Sequence, residues 1–364
     1  MGLITEHSYG LIAAKRLKDK NGKEIQLVQL RNPWGNFEWN GDWGDTSDLW
    51  TDELKRECNF SANADDGLFW MSFEDMKKYF GRVQIAKIKD DYFFSGFKCQ
   101  GNCNYNLIKV QVPASGEHTF SVSQTGERMF PRSKDYKYSS CRMILLKLNN
   151  SKDMSQGVTY ITGSKGFEDR DAYVELKHIE SGTYYFYVEM DWQKSTAEED
   201  RVYCVTSYGK SDVLFMKDHQ ADHPKEEILK TAFMAKADRA AEFSDITVTD
   251  FSVEKAPKIK KYSCSKSGEG YNWILVRNDE KDVTLVEDVK YPKFEGLTLV
   301  APEKGDSFKL EAGPGEQKIV MIKGDLAGYS LRMTFTSQLF WGEQTLIKQC
   351  VDEGQQKIRG DGIV

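Results

Sequence analysis

A histidine, an asparagine and a tryptophan near the amino terminus have the residue types needed for part of a nucleophilic active site. His7 and Asn32 flank two apolar-rich runs, 11–17 and 24–31, with Asp-Lys-Asn-Gly turn residues at 19–22. Asn-Gly tolerates the positive φ values of tight turns, so the pattern predicts a β-hairpin. A loop centred near residue 19 or 20 would bring His7 and Asn32 to one end of the hairpin. A turn centred on residues 21 and 22 would offset them by about four residues.

A histidine beside an asparagine has a known chemical use. The asparagine carbonyl can accept a hydrogen bond from one ring nitrogen and fix the tautomer, while the other nitrogen faces a thiol. The imidazole then generates a thiolate nucleophile, as in a Cys-His-Asn arrangement. Trp34, two residues after Asn32, could cover the His–Asn bond. Spacing alone is equally compatible with two ordinary polar residues of a strand.

Four motifs carry a family resemblance. They are G-L-x-x-x-H-x-Y at 2–9, R-N-P-W-G at 31–35, E-W-x-G-x-W at 38–43 and D-D-G-L-F-W-M-S-F at 65–73. Together they resemble the second half of the protease core of calpains, the calcium-dependent cysteine peptidases of the papain-like group. The resemblance implies that His7 is the catalytic histidine, Asn32 its orienting asparagine and Trp34 the shielding tryptophan.

The nucleophile of that family is missing from the expected place. In calpains the cysteine lies far upstream of the histidine, in a G-x-C-W context, whereas only six residues precede His7. The seven cysteines, none followed by tryptophan, are Cys58, Cys99, Cys103, Cys141, Cys204, Cys264 and Cys350. We therefore expect half an active site, and no peptide hydrolysis by this chain alone.

Acidic residues crowd into two loops of the same region. They are Glu38, Asp42, Asp45, Asp48, Asp52, Asp65 and Asp66. Calcium takes six to eight oxygen ligands in flexible geometry, so such loops are either candidate calcium sites or simply solvated. The calpain resemblance implies calcium ligands at Glu38, Asp45 and Asp66, with a further acid two residues later. Leu68 stands there, and its lack of oxygen ligands predicts weakened calcium binding.

The composition of the chain argues against several classes of function. A chain of 364 residues predicts several domains, and a net charge of −6 with a pI near 5.6 argues against nucleic-acid binding. No apolar run reaches the ~20 residues that a membrane span needs, and no signal-peptide core is present. Scattered cysteines in odd number predict free thiols and a cytoplasmic protein.

The predicted fold is mainly β with some α: the second half of a papain-like protease core followed by two antiparallel, C2-like β-sandwiches. Short strands separated by Gly, Asn, Ser and Asp indicate sandwiches, and G-x-Y-Y-x-Y-V-E-x-D-W at 182–192 resembles the end of the C2-like domain of calpains. Asp222 and Pro224 predict the start of a helix with one apolar stripe, which could bind a partner or link the sandwiches. No EF-hand motif is present. The predicted segments are 1–89 for the protease-core half, 90–218 and 244–350 for the sandwiches, 219–243 for a linker helix and 351–364 for a flexible tail.

Two functions are compatible with these features. The first is the carboxy-terminal portion of a calpain-like cysteine endopeptidase, acting on protein substrates with a Cys-bearing half supplied elsewhere. The second is a non-catalytic, calpain-derived scaffold that binds protein or membrane lipid through its β-sandwiches.

Overall fold

The computed structural model describes residues 2–19, 21–60, 66–101, 104–150, 152–217, 224–251, 256–265, 267–301, 307–341, 344–346 and 354–359. The chain divides into two compact units, residues 1–87 and 88–363. Antiparallel sheets dominate the described residues, and helices are few. The predicted fold class, a mainly β chain with a calpain-like core half and β-sandwiches, is confirmed.

The first unit contains one three-stranded antiparallel sheet in the order β1-β2-β3. Its strands are β1 (Gly10–Lys18), β2 (Glu24–Arg31) and β3 (Leu68–Ser72), and its helices are α1 (Asp52–Glu57) and α2 (Phe73–Tyr79). Ser72 caps α2, because its hydroxyl accepts a hydrogen bond from the backbone N–H of Asp75 at 2.9 Å.

The register of the hairpin decides between the two turn positions that the sequence allows. Lys18 pairs with Glu24 and Gly10 with Arg31, so the connecting residues 19–23 are centred on Asn21. This corresponds to the offset arrangement. His7 still reaches Asn32, because residues 7–9 lie outside the ladder and follow Glu6, which has a left-handed φ of 54°.

Both faces of this sheet are covered by apolar side chains. Leu27 and Val28 are adjacent in β2 and therefore point to opposite faces. Leu27 joins a cluster with Leu17, Trp43, Trp50, Leu54, Cys58 and Trp70. Val28 joins another with Leu30, Trp39, Phe69, Met71 and Met76. Asn32 directly follows β2, so this packing fixes the backbone on which it is carried.

The second unit begins with a sandwich of two antiparallel sheets. One has the order β12-β5-β10-β7-β8 and the other β4-β11-β6-β9. The strands are β4 (Phe93–Gln100), β5 (Tyr105–Val112), β6 (Gly116–Gln124), β7 (Ser140–Leu148), β8 (Val158–Gly166), β9 (Asp171–Ile179), β10 (Gly182–Asp191), β11 (Val202–Gly209) and β12 (Leu214–Lys217). Alternate residues of these strands form one core between the sheets.

A second pair of sheets follows, in the orders β13-β14-β15-β19-β17 and β18-β16-β20-β21. The strands are β13 (Ile246–Asp250), β14 (Ile259–Cys264), β15 (Tyr271–Asn278), β16 (Val283–Glu295), β17 (Leu297–Ala301), β18 (Ser307–Ala312), β19 (Gln317–Gly324), β20 (Gly328–Trp341) and β21 (Gln344–Leu346). Apolar residues of β15, β16 and β19 contribute to the core between these sheets.

The helix α3 (Lys225–Asp238) lies between the two sandwiches. Its buried residues Ile228, Leu229, Ala232 and Phe233 share one cluster with Leu146 of β7 and with Trp273 of β15 and its neighbours. The outer faces of both sandwiches are therefore buried against the same helix. Asp222, which the sequence predicts as the start of this helix, lies outside the described residues.

The last described strand falls within the segment for which the sequence predicts a flexible tail, 351–364. Residues Gly354–Arg359 form β22, which pairs antiparallel with β20, Gly328 opposite Arg359. The pairing uses backbone hydrogen bonds along β20. Among the described residues, no helix is long and apolar enough to cross a membrane.

Candidate active site

The side chains of His7 and Asn32 are in direct contact, as the sequence predicts. The Nε2 atom of His7 lies 2.8 Å from Oδ1 of Asn32. The Nδ2 group of Asn32 donates to the carbonyl oxygens of Asn36 at 2.6 Å and Phe37 at 3.3 Å, which fixes the orientation of the amide. Because Oδ1 can only accept, Nε2 of His7 must carry a proton in this contact, which leaves Nδ1 as the ring nitrogen available to another group. Nδ1 is the nitrogen that a thiol would need to approach.

The backbone holds Asn32 from several sides. Its side chain is fully buried, and its backbone N–H donates to the carbonyl oxygen of Gly67 at 2.8 Å. The carbonyl oxygen of Asn32 accepts from the N–H of Gly35 at 3.0 Å, and Oδ1 also accepts from the N–H of Trp34 at 3.1 Å. Asn32 is therefore positioned before any nucleophile is present.

Trp34 lies against His7, also as predicted. The two ring centroids are 4.2 Å apart with an interplanar angle of 41°, and Trp34 is 60% exposed. On another side, the ring of Tyr9 meets His7 edge-on, with centroids 5.1 Å apart. Tyr9 also packs edge-on against Phe69 and Phe80. The sequence motif includes this tyrosine, but sequence reasoning assigned it no role; the structure shows that it positions the histidine.

An open cleft of about 610 Å³ adjoins His7. Its walls are the amino-terminal residues 3–9 and residues 79–84, which begin at the last residue of α2. Leu11, Leu30 and Met76 also line it. The histidine is therefore accessible along one side of the first unit.

The three predicted calcium ligands interact with one another. Burial, together with the negative charges of Glu38 and Asp66, raises the pKa of the Asp45 carboxyl to about 6. One oxygen of Glu38 accepts the N–H of Gly67 at 2.7 Å, and Asp66 accepts the N–H of Leu68 at 2.8 Å. In the part of the chain that the structure describes, no three His, Cys, Asp or Glu side chains have an arrangement that could hold a metal. Asp65 lies outside that part.

The cysteines that the structure describes are free thiols, and most are buried. Burial raises the pKa of Cys58, and it raises the pKa of Cys99 and Cys141 to about 11 and that of Cys264 further. These thiols stay protonated at neutral pH, so they are poor nucleophiles. Cys103 and Cys350 lie outside the described residues.

Comparisons with known proteins agree with this geometry. Residues 1–87 match the family model described as calpain family cysteine protease. Human calpain-9 is 40% identical over 94 residues, which cover 25% of this chain and 13% of that protein. The mouse calpain-2 catalytic subunit is 33% identical over 166 residues, which cover 44% of this chain and 22% of that protein.

The matches span only a minor part of each relative, so these similarities concern a part of the calpain architecture. A solved structure of a β-glucosidase from Streptomyces venezuelae gives a TM-score of 0.17 at 10% identity, covering 67% of this chain and 45% of that one, which is too low to support an argument. The family match covers residues 1–87, and the same residues contain the calpain motifs and the hydrogen-bonded pair of His7 and Asn32. Residues 1–87 are therefore similar to the calpain family of cysteine proteases.

Proposed function

We propose that residues 1–87 supply the histidine–asparagine half of a calpain-like cysteine endopeptidase, and that the thiol comes from a Cys-bearing half-domain. The observation that carries this proposal is the 2.8 Å contact between Nε2 of His7 and Oδ1 of Asn32, with Trp34 beside it. A structural role alone does not require a half-exposed imidazole that lines a cleft.

In this proposal each side chain has a distinct task. Nδ1 of His7 takes the proton from the incoming thiol, and the thiolate attacks the peptide carbonyl carbon. The imidazolium then gives that proton to the leaving amine, and a water molecule hydrolyses the acyl-enzyme with His7 acting again as base. Asn32 keeps the ring oriented through both steps, and Trp34 limits the access of water to their hydrogen bond.

The surface of the first unit supports docking of a second half. Large apolar side chains are exposed near the hairpin and the asparagine, namely Leu11, Ile12, Trp34 and Phe37. Neighbouring exposed apolar residues on a small unit are typical of an interaction surface.

Complementation in trans tests the proposal. The full chain, mixed with a separately expressed Cys-bearing half of a calpain core, should hydrolyse a fluorogenic peptide, and a thiol-alkylating reagent should abolish the activity. His7→Ala should lower the rate of peptide hydrolysis in the mixture at least about 10²-fold. His178→Ala, in the second unit, is the matched control and should have no effect.

The chain alone should be inactive with or without calcium. Peptide hydrolysis by the chain alone that a thiol-alkylating reagent blocks would contradict the proposed division of the site. Hydrolysis in the mixture that is unchanged in His7→Ala would contradict the assignment of the base.

We also propose a weak calcium site at Glu38, Asp45 and Asp66, which requires these side chains to rearrange on binding, because their present positions do not form a metal-binding group. These side chains are hard oxygen donors of the kind that calcium takes. Burial is the main cause of the raised pKa of Asp45, and a divalent cation would relieve the repulsion from Glu38 and Asp66 that adds to it. Leu68 contributes no oxygen, so the affinity should be low. Isothermal titration of the full chain should show binding that Asp45→Asn removes, and the absence of heat at millimolar calcium would refute the site.

The alternative is a non-catalytic scaffold that binds protein or membrane lipid through its sandwiches. The protonated, buried thiols favour this alternative if no Cys-bearing half associates with the chain. A lack of binding to such a half, together with co-sedimentation with anionic phospholipid vesicles or capture of a protein partner, would support it. In either case we place the protein in the cytoplasm, where free thiols are stable.

A further inference from the structure

A hydrogen-bonded path leads from an acidic side chain to the candidate catalytic pair. Glu38 Oε1 accepts the backbone N–H of Gly67 at 2.7 Å, and the carbonyl oxygen of Gly67 accepts the backbone N–H of Asn32 at 2.8 Å. Asn32 in turn bonds His7. Glu38 is half-buried, and Gly67 and Asn32 are buried.

We infer that Glu38 is a positioning residue, which holds Gly67 and, through it, Asn32 in the orientation that fixes the tautomer of His7. The inference rests on the proposed function, because it assigns Glu38 a role in the same site. A carboxylate that accepts a backbone N–H makes a stronger hydrogen bond than a neutral acceptor. The role requires no bound metal.

The packing around Gly67 allows it to transmit the position of Glu38 to Asn32. Gly67 has a left-handed φ of 82°, and a Cβ atom there would lie 2.5 Å from the carbonyl oxygen of Asn32 and 3.0 Å from Cα of Gly35. The backbones of Gly67 and Asn32 are thus in close contact on two sides. A displacement of Gly67 must displace Asn32 as well, since there is no free space between them.

Glu38 also belongs to the segment that binds the amide of Asn32 directly. The carbonyl oxygens of Asn36 and Phe37, immediately before it, accept the two hydrogen bonds from Nδ2. The carboxylate of Glu38 therefore ties together the two segments that flank Asn32, residues 36–38 and Gly67. Losing this tie releases the side chain and the backbone of Asn32 together.

Three substitutions separate the reach of the side chain from its charge. Glu38→Gln keeps an acceptor oxygen at the same distance, Glu38→Asp keeps the charge but is one methylene too short, and Glu38→Ala removes both. Glu53→Ala, at an exposed position of α1, is the matched control. All proteins are studied as the full chain in buffer with a calcium chelator.

Two measurements test the link from Glu38 through Gly67 to Asn32 without requiring peptidase activity. Hydrogen–deuterium exchange follows the amides of Asn32 and Gly67. NMR with 15N-labelled histidine follows the ring of His7, one of five histidines in the chain. Glu38→Ala and Glu38→Asp should speed amide exchange at Asn32 and Gly67 roughly tenfold and shift His7 towards the Nδ1–H tautomer. Glu38→Gln should perturb both readouts far less than Glu38→Ala, because it keeps an acceptor oxygen in reach of Gly67, and Glu53→Ala should match the wild type.

Other outcomes overturn the inference. If Glu38→Asp leaves the tautomer of His7 and the exchange of Asn32 unchanged, Glu38 does not position the pair. If Glu38→Gln perturbs them as strongly as Glu38→Ala, the negative charge matters and the hydrogen-bonded path does not. Should Glu38→Ala fail to fold, the comparison of Glu38→Asp with Glu38→Gln still decides. Failure of the trans complementation leaves these readouts untouched, so the two proposals fail separately.

Discussion

The candidate site depends on Asn32, because both the oxygen and the NH2 group of its side-chain amide are hydrogen-bonded. Oδ1 accepts from His7 and from the N–H of Trp34, and Nδ2 donates to two carbonyl oxygens. No other side chain of similar size offers one acceptor and two donors in this order. The sequence alone indicated this residue through its neighbours Pro33 and Trp34, whereas the carbonyl partners at Asn36 and Phe37 became evident only in the structure.

Asn32→Asp should destabilise the first unit by about 2–3 kcal/mol at pH 7. A carboxylate oxygen would replace Nδ2 and face the carbonyl oxygens of Asn36 and Phe37 in a fully buried position. Urea unfolding followed by tryptophan fluorescence measures this, since five of the eight tryptophans lie in residues 1–87. Asn40→Asp, at an exposed position, should change the stability little. Equal stability of both variants would show that the amide is not needed.

Trp34→Ala should change the free energy of unfolding by less than about 1 kcal/mol, because the side chain is already 60% exposed. It should nevertheless open the hydrogen bond between His7 and Asn32 to water. We expect the Nε2–H signal of His7 in 15N-histidine spectra to broaden through faster exchange with solvent. Trp34→Phe keeps an aromatic ring and should retain a sharper signal. An unchanged signal in Trp34→Ala would exclude the shielding role.

At the scale of elements, charged residues are buried where β10, β19 and α3 meet. Glu189 of β10 accepts hydrogen bonds from Lys225 and Lys323, both at 2.6 Å, and from the hydroxyls of Tyr187 and Tyr271. Arg142 of β7 is fully buried and pairs with Asp191. Sequence patterns predict the strands, but they cannot indicate which charges become partners across two sandwiches.

The stability of the second unit should depend on pH through Glu189. Burial by itself raises the pKa of Glu189, but Lys225 and Lys323 outweigh burial and lower it to about 2. Because the pKa in the folded state is below the ordinary value of 4.5, the stabilisation is complete above about pH 4.5 and is lost as the pH falls towards 2.

Glu189→Gln should therefore destabilise the chain by about 3–5 kcal/mol at pH 7, because it leaves Lys225 without its counter-charge and Lys323 with Asp191 alone. The difference from the wild type should shrink as the pH falls from 4.5 to 2. Urea midpoints over this range provide the measurement, with Glu226→Gln on the exposed side of α3 as control. A difference that does not vary with pH would contradict the ion-pair explanation.

The helix α3 contributes to stability through Phe233. This side chain is fully buried, stacks on Trp273 with centroids 5.7 Å apart and also meets Tyr271 at 5.5 Å. Phe233→Ala should cost about 3–5 kcal/mol of unfolding free energy. Glu227→Ala, exposed on the same helix, should cost less than about 0.5 kcal/mol. Similar urea midpoints for the two variants would show that the helix is not part of the core.

At the scale of the whole molecule, residues 81–91 connect the first unit to the first strand of the second. All of them are exposed, and none lies in a helix or strand. Exposed irregular segments are the sites that proteases cut first in limited proteolysis. We expect trypsin to cut first after Arg82 or Lys87 and to leave a stable carboxy-terminal fragment, as measured by intact mass.

Arg82→Gln should move the first cut to Lys87 without slowing the release of that fragment greatly. First cuts within the strands of the first sandwich, 93–217, would contradict the division into two units. The same experiment prepares the fragment for the vesicle and partner tests, because cleavage there leaves every strand of the sandwiches intact.

The amino-acid sequence by itself determined the mainly β fold class, the similarity of residues 1–87 to calpains and the choice of His7, Asn32 and Trp34 as candidate site residues, because these depend on residue types at fixed local spacings. The bounds of individual strands were not assigned from the sequence, since strand formation depends on neighbours distant in the chain. Only the tertiary structure decided the hairpin register, the link from Glu38 through Gly67 to Asn32 and the buried ion pairs of Glu189. Each of these joins residues far apart in sequence, and which polar groups meet there is settled by packing rather than by local preference.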